Sequence, residues 1–107
     1  MDKAFALRIN DSDNVAVVLS EGLAAGGAVG VRMSDGSVRD LAALEPVAYG
    51  HKIAVAAIAP GERIVKYGEV IGQASAPIRE GEHVHVHNME SLRARGDLAR
   101  PAKEAKP

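Results

Sequence analysis

IAPGERI (residues 58–64) and IREGEHV (residues 78–84) share one pattern, in which a glycine stands three residues from an aliphatic residue on either side. The same spacing occurs at Leu23–Gly26–Val29 and at Val47–Gly50–Ile53. A glycine can adopt a positive φ and turn the chain, which lets both aliphatic ends enter the core. We interpret the four copies as repeated turns that each lead into a strand. The alternative is that short patterns recur by chance in a glycine-rich chain.

Apolar residues that alternate with other residues predict further short strands. In AFALRI (4–9), Phe5, Leu7 and Ile9 share one face, and similar patterns occur in NVAVVL (14–19) and HVHVH (83–87). The dipeptide Asp35-Gly36 predicts a hairpin turn.

Helical spacing is confined to SVRDLAALE (37–45), where Ser37 is a candidate N-cap. We therefore predict a small, mostly β domain over residues 1–90, with at most one or two short helical turns. Residues 91–107 are charged and carry two prolines, which predicts a polar tail or linker without fixed structure.

Composition excludes several classes of function. The 107 residues carry a net charge of −1 and no basic patch, which argues against nucleic acid as a partner. There is no cysteine, so neither a disulfide nor a thiolate zinc site can form. GLAAGGAVG lacks the spacing of a phosphate-binding loop, so no nucleotide is expected. No signal peptide and no membrane-spanning run is evident, which favours a cytoplasmic protein.

Three of the four histidines lie in GEHVHVHN (81–88). On a strand, His83, His85 and His87 would share one face, with neighbours about 6.5 Å apart. Because His83 and His87 would be roughly 13 Å apart, the spacing favours His85 with His87 as metal ligands. Two ligands do not complete a divalent site, and a hydrated strand face is the alternative interpretation.

A second group of candidates follows the glycine turn at Gly50. His51 and Lys52 are suited to bind a carboxylate, one as a hydrogen-bond donor and the other as a point charge. The alternative is an exposed start of a strand. Asp13 and Asn14 are most simply explained as residues that close a turn on their own backbone.

Taken in order, DSDNVAV, YGHKIAV, VKYGEVIGQA and GEHVHVHN resemble the amino-terminal domain of the altronate and galactarate dehydratases. That domain belongs to the SAF group of small β-clip modules. The resemblance runs from about Arg8 to Met89 and implies a β-clip fold. Within it, His85, His87 and Asn88 match a Val-His-x-His-Asn pattern, which implies catalytic or metal-binding roles at an active-site mouth. His51 and Lys52 are the implied substrate contacts, as is Asn88, and Lys66 and Tyr67 also match positions of the family.

The resemblance further implies a function. The chain would be a small subunit or N-terminal-type domain of a hydro-lyase. A large catalytic subunit and a divalent metal, iron(II) or manganese(II), would complete its active site. The substrate would be a sugar acid or related hydroxy-carboxylate, or sulfolactate, whose lyase has a separate small subunit. We expect this chain to be inactive alone. A non-catalytic β-clip binding or assembly module is the alternative, since a fold does not fix a function. Exposed strand edges leave self-association into a homo-oligomer open.

Overall fold

A computed structural model describes residues 3–91 of the chain. Within this range the chain forms strands and no helix, which confirms the predicted mostly β fold. The strands are β1 (Ala4–Leu7), β2 (Val15–Val18), β3 (Ala28–Arg32), β4 (Val38–Ala42), β5 (Lys52–Ala54), β6 (Arg63–Lys66), β7 (Glu69–Ala74), β8 (His83–Val84) and β9 (Met89–Ser91).

The strands form two sheets around two apolar clusters. The six-stranded sheet has the order β4-β3-β1-β2-β5-β8, and the three-stranded sheet has the order β6-β7-β9. Only β1 and β3 pair in parallel among the described strands. Val18 belongs to one apolar cluster and Val15 to the other, so β2 is buried along its whole length and joins the two.

The repeated glycine turns are confirmed. Gly26, Gly50, Gly61 and Gly81 all have positive φ, between 82° and 93°. The aliphatic ends of all four copies are buried, with at most 6% of the residue exposed at any of them. The first aliphatic residues pair as bridges, Leu23 with Val47 and Ile58 with Ile78. Each turn therefore fixes one point of the core before the next strand begins.

The strand predicted at AFALRI is present over Ala4–Leu7, but the face that Phe5, Leu7 and Ile9 share is not the buried one. Phe5 and Ile9 are 36% and 50% exposed, whereas Ala6 is fully buried. Ala6 lies in register between Val18 of β2 and Val31 of β3. A small side chain faces the core there because both flanking strands already fill the space.

Residues 37–45 form no helix, although theirs was the segment with helical spacing. Residues Val38–Ala42 form β4, which pairs with β3 through the predicted hairpin at Asp35-Gly36. Gly36 has a φ of 89°, and Oδ1 of Asp35 accepts hydrogen bonds from the backbone N–H and hydroxyl of Ser37. Ser37 thus belongs to the turn and does not cap a helix. The ladder with β3 outweighs the local helical spacing.

Side-chain and backbone contacts link the β4 edge to β5 and β8. Arg39 donates to the carbonyl oxygen of Val55 (2.8 Å) and to Glu80 (2.6 Å). The backbone N–H of Leu44 donates to the carbonyl oxygen of Gly81 (2.9 Å). These bonds bring β4 and the residues after it close to the segments next to β5 and β8, at the other end of the strand order.

The predicted polar segment, residues 91–107, lies outside the described residues except for Ser91, which ends β9. In the part of the chain that the structure describes, no helix has the length and apolar character needed to cross a bilayer.

The equivalent turns at Gly61 and Gly81 give a matched test of the fold. Gly61→Ala places a side chain in open space, so it should cost only the strain of a positive φ, about 1–2 kcal/mol. A Cβ at Gly81 would overlap the carbonyl oxygen of Ala42 and press on Leu44, which should add about 1–3 kcal/mol. Urea unfolding of both variants measures the difference. Equal losses of stability would contradict the close approach of β4 to Gly81.

Candidate functional site

Three histidines from two segments of the chain meet at the β5–β8 pairing. Ile53 of β5 is in register with His83 of β8, and His51 immediately precedes β5. Nδ1 of His51 lies 2.9 Å from Nε2 of His83, and the ring centroids of His51 and His85 are 4.4 Å apart. One ring nitrogen from each of His51, His83 and His85 lies within 4.8 Å of the other two. We call these three residues the histidine cluster.

The predicted strand over 83–87 is wrong beyond Val84. β8 ends there, and the chain then turns through 85–88. The turn leaves Val86 79% exposed and brings His85 together with His51 and His83. His87 stands outside the cluster, and its ring contacts that of His83 at a centroid distance of 5.4 Å. The structure therefore places His85, but not His87, in a position to share a ligand with two other imidazoles.

Asn88 holds this turn. Its side chain is buried, its Oδ1 accepts a hydrogen bond from the backbone N–H of His85 (3.0 Å), and its Nδ2 donates to the carbonyl oxygen of His83 (2.9 Å). The backbone N–H of Asn88 donates to the carbonyl oxygen of His85 (3.1 Å). Both ends of the amide thus bond to the backbone that carries the cluster. These bonds give Asn88 a positioning role, and the substrate contact that the resemblance implies for it stays a prediction.

The environment favours neutral imidazoles. Burial lowers the pKa of His83, the charges of His51, His85 and His87 lower it further, and only Glu45 raises it. The pKa of His85 is lowered by burial and then by His51, Lys52 and His87. A neutral imidazole has a free lone pair, which it needs in order to accept a proton or bind a metal.

Two charged residues border the cluster. Oε2 of Glu45 accepts a hydrogen bond from the backbone N–H of His83 (3.0 Å), which ties β8 to the segment after β4. Lys52 directly follows His51 and is partly buried. This burial is the main cause that lowers the pKa of Lys52, and the charge of Lys66 lowers it further. The ion pairs found within residues 3–91 join Lys3 to Asp40 and Arg39 to Glu80, so Lys52 takes part in neither. A partly buried cation of this kind is suited to an anionic ligand.

The other candidate positions have structural roles. Tyr67 and Gly68 both have positive φ and form the turn between β6 and β7. Asp13 is buried and accepts hydrogen bonds from the N–H of Gly68 (2.8 Å) and of Asn10 (3.1 Å), so it closes its own turn and also holds the hairpin. Nζ of Lys66 lies 5.4 Å from the centroid of the Tyr67 ring. The sequence indicated the local turn but not the link to Gly68.

Asn14 likewise bonds across the molecule. Its Nδ2 donates to the carbonyl oxygen of Arg63 (2.9 Å), and its Oδ1 accepts from the N–H of Val65 (2.8 Å). The amide therefore joins the start of β2 to β6, which local turn chemistry did not reveal.

Comparison with known proteins agrees with the resemblance seen in the sequence. The family described as the altronate/galactarate dehydratase SAF domain matches residues 4–92. The (2R)-sulfolactate sulfo-lyase subunit alpha of Chromohalobacter salexigens is 37% identical over 87 residues, which cover 79% of this chain and 93% of that subunit.

Two dehydratases of Escherichia coli K12 are also similar. Altronate dehydratase is 44% identical over 82 residues, and galactarate dehydratase (L-threo-forming) is 38% identical over 82 residues. These matches cover 77% and 76% of this chain but only 15% and 14% of the two enzymes. The same domain thus occurs as nearly the whole of one lyase subunit and as a small part of longer dehydratases.

Substitution of Asn88 tests its positioning role. Asn88→Ala removes two hydrogen bonds from the 83–88 turn and should lower the free energy of unfolding by about 2 kcal/mol. It should also speed hydrogen exchange at the His85 amide. Asn88→Asp keeps the acceptor and should protect that amide better than alanine does. Urea unfolding and amide exchange measure both effects, and an Asn88→Ala variant with unchanged exchange would contradict the role.

Proposed function

This chain belongs to the altronate/galactarate dehydratase SAF family, and from that membership we propose that it is the small component of a lyase acting on a hydroxy-carboxylate. A larger chain supplies the rest of the active site. The proposal rests on how much of each relative the match covers. It covers 93% of the sulfo-lyase subunit alpha but only 15% and 14% of the two dehydratases. A domain that occurs in both forms is expected to act beside a larger catalytic part.

The histidines supply acid–base chemistry in this proposal. In such an elimination, a base removes the proton α to the carboxylate and the β-hydroxyl leaves as water, or sulfite leaves from sulfolactate. The resulting enol becomes a 2-oxo acid. His87 is the proposed base, because it lies exposed at the border of the histidine cluster, where it is proposed to reach the substrate in the complex. His51 and His83 share a hydrogen bond, and with His85 they form the cluster beside it.

The substrate carboxylate is proposed to bind at His51 and Lys52. Lysine acts as a compact point charge, and Lys52 takes part in no ion pair found among the described residues. Partial burial strengthens its attraction for an anion, because less water screens the charge. This contact selects acids over neutral sugars.

Exposed apolar residues mark the face that meets the larger chain. Val86 lies between His85 and His87 and is 79% exposed, and Tyr49 lies two residues before His51 and is 59% exposed. Leu44, next to Glu45, is 43% exposed. Apolar side chains close to polar functional groups are typical of a surface that another chain covers. In the proposed complex, this face closes the site to bulk water.

Reconstitution tests the function. Together with a large lyase chain from the same organism, the chain should convert altronate, galactarate or (2R)-sulfolactate to a 2-oxo acid, whereas neither should do so alone. His87→Ala should lower kcat by about 100-fold, the contribution typical of a positioned base. Lys52→Ala should mainly raise KM, and Lys3→Ala is the control on a distant ion pair. A large chain that is equally active alone would overturn the proposal in favour of a non-catalytic binding module.

The proposed contact face has its own test. Val86→Asp places a charge on an exposed residue, so the free energy of unfolding should change by less than about 0.5 kcal/mol. Its affinity for the large chain should fall by about tenfold or more, because the charge would be buried without a partner in the complex. Val38→Asp, at a residue of β4 that is 54% exposed, is the matched control. Calorimetric titration with the large chain measures both affinities, and similar affinities would place the contact elsewhere.

A further inference from the structure

The geometry of the histidine cluster is close to that of a metal site with three imidazole ligands. In a tetrahedral site with metal–nitrogen bonds of about 2.0–2.1 Å, two ligand nitrogens are roughly 3.4 Å apart. Nδ1 of His51 and Nε2 of His83 are 2.9 Å apart, and all three nitrogens lie within 4.8 Å of one another. A slightly longer distance between the nitrogens of His51 and His83, and a shorter distance from that of His85 to both, would therefore give the spacing of a tetrahedral site.

A simple hydrogen-bonded pair of histidines does not account for the third ring. His51 and His83 can satisfy one another, but within residues 3–91 no hydrogen bond is found at the ring nitrogens of His85. That ring nevertheless stacks on His51 and lies 5.4 Å from the ring of His83. A cation bound by one ring nitrogen of each residue would give the third ring a partner.

The supports of the three ligands are firm. His83 lies in β8, and the register of β5 with β8 sets its distance from His51. His85 is fixed by the two side-chain hydrogen bonds of Asn88, and Glu45 holds the backbone of His83. Ligands that are held before the metal arrives lose little conformational freedom on binding.

We propose that His51, His83 and His85 bind one divalent transition-metal ion, and that the remaining coordination position takes an anionic oxygen ligand. His87 is not a ligand. Three neutral ligands leave the charge of the ion uncompensated, and the cluster contains no carboxylate. The proposed substrate carboxylate would supply the missing negative charge, and this last step alone rests on the proposed function.

The ligand set also predicts which metals bind. Imidazole suits iron(II), cobalt(II), nickel(II), copper(II) and zinc, whereas manganese(II) prefers oxygen ligands and is weakest in the general order of affinities. Of the two metals that the resemblance implies, iron(II) therefore fits the cluster and manganese(II) does not.

Cobalt(II) is the probe for the test, because a four-coordinate cobalt(II) site has intense visible absorption bands. The full chain, without a histidine tag and treated with a chelator, is titrated with cobalt(II) and separately with zinc and manganese(II). The wild type should show the bands at one equivalent of cobalt(II), and zinc should displace cobalt. Manganese(II) should bind far more weakly in calorimetry.

Variants assign the ligands. His51→Ala, His83→Ala and His85→Ala should each weaken cobalt binding on the order of 100-fold, whereas His87→Ala should keep it within about threefold. His85→Gln and thermal unfolding of every variant separate loss of a ligand from loss of the fold. A wild-type chain without bands would overturn the proposal, as would a His87→Ala variant that binds no better than His85→Ala.

A second titration tests the anionic ligand. Addition of altronate or sulfolactate to the cobalt-loaded chain should shift the absorption bands, and a neutral sugar should leave them unchanged. Bands that stay unchanged with the acids would overturn the anionic ligand while the three-histidine site stands. Because these titrations omit the large chain, failure of the reconstituted lyase would leave the metal site intact, and failure to bind cobalt would leave the lyase proposal intact.

Discussion

The antiparallel pairing of β5 with β8 is the interaction on which the candidate site depends. It is short, with Lys52 opposite Val84 and Ile53 opposite His83. Backbone hydrogen bonds from Gly81 to Ala54 and from Ala54 to Glu82 extend it. Gly81 has a positive φ, which turns the chain ahead of β8. The carbonyl oxygen of Ala42 in β4 also leaves no room for a side chain at this position. One glycine therefore supports both the closure of the sheet and the meeting of the histidines.

Much of the fold could be predicted because each glycine turn is encoded within seven residues. The pattern states where the chain turns and which two residues enter the core, and no distant contact is needed to identify it. The buried face of β1 could not be predicted in this way, because Ala6 is buried by Val18 and Val31, which lie far along the chain. The same limit applies to 37–45, where pairing with β3 decides the structure and local helical spacing does not.

The site was only partly predictable for a related reason. His51 and His85 were recognised as functional candidates from their motifs, but their contact joins segments more than thirty residues apart and depends on strand register. Alternation in HVHVH predicted a strand, yet the amide of Asn88 bonds to the backbone at His83 and His85 and bends the chain after Val84. Asparagine side chains compete with strand ladders in this way, so Asn88 was the available signal.

The proposed selectivity for acids follows from the charge of the candidate site. Burial lowers the pKa of His83 and of His85, Lys52 lies beside them in the chain fold, and Glu45 accepts a hydrogen bond from the backbone N–H of His83. In the proposed lyase, such a site would bind an acid group through the charge of Lys52. Altronate, galactarate and sulfolactate all carry a carboxylate, so the proposed contact would recognise what the three acids share. The choice among them, and between water and sulfite as the leaving group, would then be made by residues of the larger chain that meet the rest of the substrate.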